Sequence, residues 1–161
     1  MQPLVTLLLW FALIACGLLA GVYFAFSAFV MTALDRIDRP AGIAAMNAIN
    51  RVILRSTFMP LFLGSTLAAL ALAILGLLDL AAPGGASMLA GGLLYALGMF
   101  GVTMAFNVPL NNRLMRVPDG GDCGARDWAD YLRRWTRWNH VRTLASTMAL
   151  GLFALALVAR G

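Results

Sequence analysis

The chain has 161 residues, of which 61% are hydrophobic and 12% charged, with a formal net charge of +5 at pH 7. A water-soluble domain of this size cannot hide so much apolar surface, so a soluble fold is excluded. The positive charge comes from twelve arginines and no lysine, and their placement points to membrane topology and lipid headgroups, with no nucleic-acid partner.

Four runs carry no charged side chain: Pro3 to Leu34, Ser56 to Leu78, Leu80 to Asn112, and Thr143 to Ala159. Each supplies most or all of the roughly 20 residues needed to cross a ~30 Å hydrocarbon core. They are apolar nearly all round, which separates them from the amphipathic helices of soluble proteins. The expected fold is all-α: an integral membrane four-helix bundle, one four-span domain over residues 1–161, with amphipathic helical extensions before the second and fourth helices. The first run does not read as a cleaved leader. Met1-Gln2-Pro3 has no basic group, and the run exceeds a signal core of roughly 7–15 residues. Eleven of the twelve arginines fall in two segments, Arg36 to Arg55 and Arg113 to Arg142. In a four-span protein these share a side. That side is expected to be the cytoplasm, with both termini outside an inner (plasma) membrane.

Along the chain, the first helix ends in Tyr23-Phe24-Ala25-Phe26-Ser27-Ala28-Phe29. It also holds Gly17-x-x-x-Gly21, which permits close helix contact and leaves a homo-oligomer open. Pro40 suits the start of a helix. From Ala41 to Thr57, Ile43, Met46, Asn50, Ile53, Leu54 and Thr57 share a face. Pro60 predicts a kink one turn into the second helix. Pro83-Gly84-Gly85 is the outer turn. In the third helix, Thr103, Asn107 and Asn111 stack at four-residue steps, and Pro109 should kink or loosen the helix beside them. Val117 to Ala125, with Pro118, Gly120, Gly121 and Gly124, is the flexible loop. Asp127 to Arg142 then puts Trp128, Tyr131, Trp135, Trp138 and Arg142 in one stripe, with Asn139 at one edge and Arg134 at the other. The stripe continues as Ser146, Ala149 and Phe153, while Leu144, Met148 and Leu155 face lipid.

The outer halves of the spans are nearly featureless. The inner ends hold Ser27, Asn47, Asn50, Thr57, Thr103, Asn107, Asn111, Asn139, His140 and Arg142. Polar groups in a membrane bundle are costly unless paired or used, so one site is expected near the cytoplasmic boundary, walled by aromatics. The asparagines could equally be bonds between helices. The Trp/Tyr stripe could be an interfacial belt, and Arg142 could snorkel to headgroups. His140 is the only histidine and the obvious base, yet on a continuous helix it points about 160° away from Trp138 and Arg142. With one His, no Glu and no Cys cluster, no cofactor is predicted; haem or a single metal ion through His140, with Met46 as a second haem ligand, is the alternative. Cys16 and Cys123 read as free thiols.

Three segments resemble a known family: Ala45-Met46-Asn47-Ala48-Ile49-Asn50, Asn107-Val108-Pro109-Leu110-Asn111, and Trp135-Thr136-Arg137-Trp138-Asn139-His140-Val141-Arg142. Together they resemble a bacterial membrane family of unknown function grouped with the fungal anthrone oxygenases. The resemblance implies a four-helix membrane protein. For the anthrone branch it also implies insertion of oxygen from O₂ into an activated anthrone carbon, giving an anthraquinone. An anthrone enolate passes an electron to O₂ unaided, so the protein would contribute a base, a buried pocket and hydrogen bonds. On this reading Asn107, Asn111, Asn139 and Arg142 stabilise the enolate or hydroperoxide and His140 takes the proton. Trp135, Trp138 and Phe26 stack on the ring, with Met46, Asn50, Trp128 and Tyr131 completing the substrate pocket.

The expected partners are therefore membrane lipids, a hydrophobic aromatic small molecule and O₂. The competing reading is a non-catalytic module that holds a lipophilic ligand or helps assemble a membrane complex. A transporter is disfavoured, because no polar residues continue through the outer halves and no span breaks at midplane.

Overall fold

The computed structural model describes residues 2–118 and 121–160. Asp119 and Gly120 lie outside the described residues, so the glycine-rich loop is seen only at its two ends. Among the described residues the chain forms five helices: α1 (Pro3–Arg36), α2 (Arg39–Ile53), α3 (Phe58–Leu78), α4 (Gly85–Leu114) and α5 (Ala125–Arg160). All but α2 are long and apolar enough to cross a membrane. These four form a ring in which α1 packs on α5 and α3, and α4 packs on the same two neighbours. The shorter α2 lies against the arginine-rich ends of α1, α4 and α5. It buries Ile43, Met46, Asn47 and Asn50 and leaves Arg51 and Val52 exposed.

Two cores divide the bundle. Leu9, Leu19, Leu72, Met88, Tyr95 and Phe153 fill the half away from the arginines. Met31, Ile43, Met46, Leu114, Trp128 and Trp135 fill the other. Leu7, Leu67, Leu78, Leu144 and Val158 are more than half exposed, as apolar side chains facing lipid should be. The α3 and α4 backbones meet at Gly92, where a Cβ would overlap the Ala69 carbonyl oxygen. Gly17 similarly lets Leu150 approach α1, whereas Gly21 faces open space. The small-residue pair is therefore used on one side only.

Pro60 does not kink a helix. Helix α3 starts at Phe58, so Pro60 lies in its first turn, where the missing N–H has no intrahelical partner to lose. This late start shapes the arginine-rich end. There α1, α4 and α5 run on past the level at which α3 begins, and α2 with the following turn fills the fourth side of the ring.

Pro109 has a different effect from the expected kink. The turn before it, Thr103–Asn107, is π-helical, and Val108 N–H reaches back five residues to the Thr103 carbonyl. A second π-helical turn covers Ala96–Gly101 of the same helix, and a third covers Phe26–Val30 of α1. Widened turns of this kind redirect side chains and concentrate at functional sites.

The described ends of the loop are tied down rather than loose. Arg39 at the start of α2 grips Asp122 with two hydrogen bonds, Nε to Oδ1 at 2.6 Å and Nη2 to Oδ2. The guanidinium holds the Asp122 carboxyl below the usual carboxylate range. A depressed carboxylate contributes its stabilisation above its unfolded pKa and loses it as pH falls through the folded one. Trypsin cleavage at Arg126 is therefore expected to stay slow at neutral pH. The protection of residues 121–126 against hydrogen exchange, taken relative to the unprotected rate at the same pH, should fall on acidification below about pH 4, and Asp122→Asn should show the lowered protection already at pH 7.

Candidate functional site

A cavity of about 310 Å³ lies where the two cores meet. That is at the lower end of the roughly 300–1,000 Å³ typical of small-molecule sites. Its walls are mostly apolar: Phe26 from α1, Ile49 and Met46 from α2, Phe58, Met59 and Phe62 from α3, Met104, Val108 and Met115 from α4. Four methionines spread over its walls make it deformable, since an unbranched thioether chain repacks around different shapes.

The polar side of the cavity is built around Arg142, which is 6% exposed. It does not snorkel. Its Nη2 donates to Asn139 Oδ1 at 2.6 Å, and its Nη1 donates to Thr103 Oγ1 at 3.3 Å. The guanidinium carbon lies 4.4 Å from the Tyr23 ring centre and 5.2 Å from that of Trp135. Its Nε has no hydrogen-bond partner. Among the described residues no carboxylate pairs with it, and the ionisable groups that act on it are the hydroxyls of Tyr23 and Tyr131. A buried cation without an anion is expensive, and the arrangement invites one.

Asn139 is fully buried and is not among the residues lining the cavity. Its Nδ2 donates to the Tyr23 carbonyl at 2.6 Å and to Ser27 Oγ at 2.5 Å, while its Oδ1 accepts from Arg142. It thus clamps Arg142 to α1, at Tyr23 just ahead of the Phe26–Val30 π turn and at Ser27 within it. Asn111 lines the cavity. Its Oδ1 accepts from Trp135 Nε1 at 2.8 Å and from the Tyr131 hydroxyl at 3.0 Å. Both acceptor positions being used, its Nδ2 is the group left to donate. Asn50 also lines the cavity, and its Nδ2 is buried without a partner. Arg142 Nε and Asn50 Nδ2 are thus buried donors without a hydrogen-bond partner, carried by two residues that line the same apolar space.

The structure brings Phe26, Met46, Asn50, Asn111, Trp135 and Arg142 to the cavity. Asn107 lies outside the lining and donates to the Trp135 carbonyl at 3.2 Å. The four-residue stack breaks because the π-helical turn uses more residues per revolution, so Thr103 and Asn111 reach the cavity and Asn107 does not. Tyr131 supports Asn111 from behind, and Trp128 stacks on Tyr131 with ring centres 5.6 Å apart. Trp138 is half-buried outside the cavity, stacked on Phe106 at 3.6 Å. His140 is exposed and opens on a separate groove with Ser27, Thr32, Asp35 and Arg137. Met46 lines the main cavity, so His140 and Met46 open on different spaces, and this arrangement gives no axial pair for a haem. Among the described residues no three His, Cys, Asp or Glu side chains gather as a metal site would require. Cys16 and Cys123 are free thiols.

Sequence reasoning placed Thr103 at the polar inner end without giving it a role, and passed over Tyr23 and the Phe58–Phe62 turn as site residues. The signal for Tyr23 was its four-residue spacing from Ser27, which places both on the α1 face that meets Asn139.

A family model described as anthrone oxygenase matches residues 46–152, about two thirds of the chain. No curated protein and no solved structure matches. The matched span runs from Met46 in α2 to Leu152 in the last third of α5 and contains Asn50, Asn111, Trp135, Asn139 and Arg142. The chain with this guanidinium-centred cavity thus belongs to the anthrone oxygenase family.

Proposed function

We propose that the protein is a membrane oxygenase that takes a lipophilic aromatic substrate of the anthrone or hydroquinone type into the Arg142 cavity and oxidises it with O₂. The observation that carries this reading is a buried guanidinium with no carboxylate partner, facing an apolar space the size of a fused-ring molecule. Loss of a C–H proton turns an anthrone into an enolate. The enolate oxygen is the anion that Arg142 and the Asn111 amide would receive, and stabilising it lowers the barrier to deprotonation. One electron then passes from the enolate to O₂, giving a carbon radical and superoxide. Their combination forms the C–O bond, and one proton completes a hydroperoxide. Loss of water across that carbon leaves the second carbonyl, so anthrone and O₂ become anthraquinone and water.

None of the residues lining the cavity is a carboxylate or an imidazole. The pocket's contribution is accordingly anion stabilisation, with the proton passing to water. His140→Gln is therefore expected to keep turnover within about twofold of wild type; a loss of about 10²-fold or more would restore His140 as the base. The arginine-rich end is assigned to the cytoplasm by the excess of positive charge there.

The test is anthraquinone formation from anthrone by the purified protein in air, followed by absorbance against the uncatalysed autoxidation rate, with an anaerobic control. Rates equal to autoxidation sink the reading. A ligand that binds without being oxidised would leave the non-catalytic module, which uses the same cavity.

A further inference from the structure

The cavity does not close on all sides. Four of its lining residues are also surface residues: Val22 on α1 is 36% exposed, Leu54 after α2 is 61% exposed, Met104 on α4 is 49% exposed, and Asn112 near the end of α4 is exposed as well. Val22 and Met104 belong to helices long enough to span the membrane, so their exposed sides face acyl chains. The opening follows from the late start of α3, which leaves α2 and the Leu54 turn to form the fourth wall. Exposed Arg51 and Arg55 flank exposed Val52 and Leu54, the pattern of a segment seated at headgroup level with its apolar residues dipping into lipid. A site built for a bare ring would bury most of that ring's surface. Here the polar donors gather at Arg142, Asn111 and Asn50, while three of the four exposed lining residues, Val22, Leu54 and Met104, are apolar and the fourth, Asn112, marks the headgroup end of the opening.

Resting on the oxygenase reading, we infer that the substrate carries an apolar chain. Its ring sits against Arg142, and an alkyl or isoprenoid tail runs out past Val22, Leu54 and Met104 into the bilayer. This assigns the substrate to amphiphilic ring compounds that reside in membranes, drawn in sideways rather than from water. The methionines suit it, because a flexible lining accommodates a ring and the first carbons of a chain together.

The experiment compares anthrone with 2-dodecylanthrone at equal mole fraction in nanodiscs holding the full chain, under nitrogen, reading binding by tryptophan fluorescence quenching. Equal mole fraction removes the difference in partitioning. The chain-bearing ligand is expected to bind about tenfold tighter to the wild type, and Val22→Trp, which fills the mouth from its lipid side, should bring the ratio close to one. Leu54→Trp is the second variant, in case the first does not fold. Equal affinities in the wild type, or a ratio that both variants leave intact, overturn the inference. A mouth used only for entry would change binding rates and not this equilibrium ratio, and so counts against it. Anaerobic binding is read without turnover. A tenfold ratio with no anthraquinone formed in air would therefore sink the oxygenase reading alone. Turnover of anthrone with a ratio of one would sink the chain alone, and binding of neither ligand overturns both.

Discussion

Arg142→Met is expected to lower anthrone turnover by about 10²–10³-fold, the scale on which a preorganised anion-stabilising donor contributes in a water-poor site. The same substitution should leave unfolding stability within about 1 kcal/mol of wild type. The two effects part because the guanidinium is buried without a carboxylate among the described residues. Replacing it with an apolar chain of similar length removes a desolvated charge and leaves one orphan, Asn139 Oδ1. Thr103 Oγ1 keeps its bond to the Met99 carbonyl at 2.7 Å. Arg142→Lys should fall between, since a point charge cannot span both Asn139 and Thr103. Initial rates and thermal unfolding of the same preparations check this. A folded Arg142→Met protein with wild-type turnover would remove the guanidinium from the chemistry. A large loss of stability would mean that Arg142 holds the bundle together instead.

Asn139→Leu carries the second largest effect, and it differs in kind. Asn139 is absent from the cavity lining, yet it fixes Arg142 to α1 through the Tyr23 carbonyl and Ser27. Its loss frees a guanidinium that must be aimed to act, which is expected to cost about 10–10²-fold in kcat. It also leaves the buried Tyr23 carbonyl and the partly buried Ser27 hydroxyl without their donor, destabilising the protein by about 1–3 kcal/mol. A positioning role makes one further demand. In the Arg142→Met background, Asn139→Leu should lower turnover by no more than about twofold, because there is no longer a guanidinium to aim. Full additivity of the two losses in a double-mutant cycle would show that Asn139 acts on the reaction independently.

The four membrane helices were legible because an uncharged run of about 20 residues has few other physical uses. The inward faces were harder to read. Inside a bilayer both the core and the lipid favour apolar side chains, so hydrophobicity no longer tells the two faces of a helix apart. Weighting the aromatic rings drew the α5 stripe toward Trp138, which packs on Phe106. Asn139, set at the edge of that stripe, is fully buried near its middle. In a membrane helix a polar residue points inward more firmly than a ring does. The α4 register was misjudged for another reason: four-residue stacking assumes an α-helix, and Thr103–Asn107 is π-helical. Pro109 was the visible sign of irregular backbone, although its sequence does not say whether the helix will bend or widen. The cavity itself was not legible. It depends on where α3 begins relative to α2, and Pro60 was read as a kink rather than as a helix start.

The four methionines of the cavity wall have a consequence for the working life of the protein. Thioether sulfur is readily oxidised to the sulfoxide, a polar and chiral group that no longer packs like the original side chain. Under the proposed chemistry Met46, Met59, Met104 and Met115 line the space in which any superoxide or hydroperoxide that escapes capture is released. They would intercept such species before Trp135 or Tyr23 is lost, and the damage is of a kind that methionine sulfoxide reductases reverse. The wall is then sacrificial. Activity should decline with the number of turnovers rather than with elapsed time, and the added oxygen should be found on these four residues before it reaches Met148 on the lipid face.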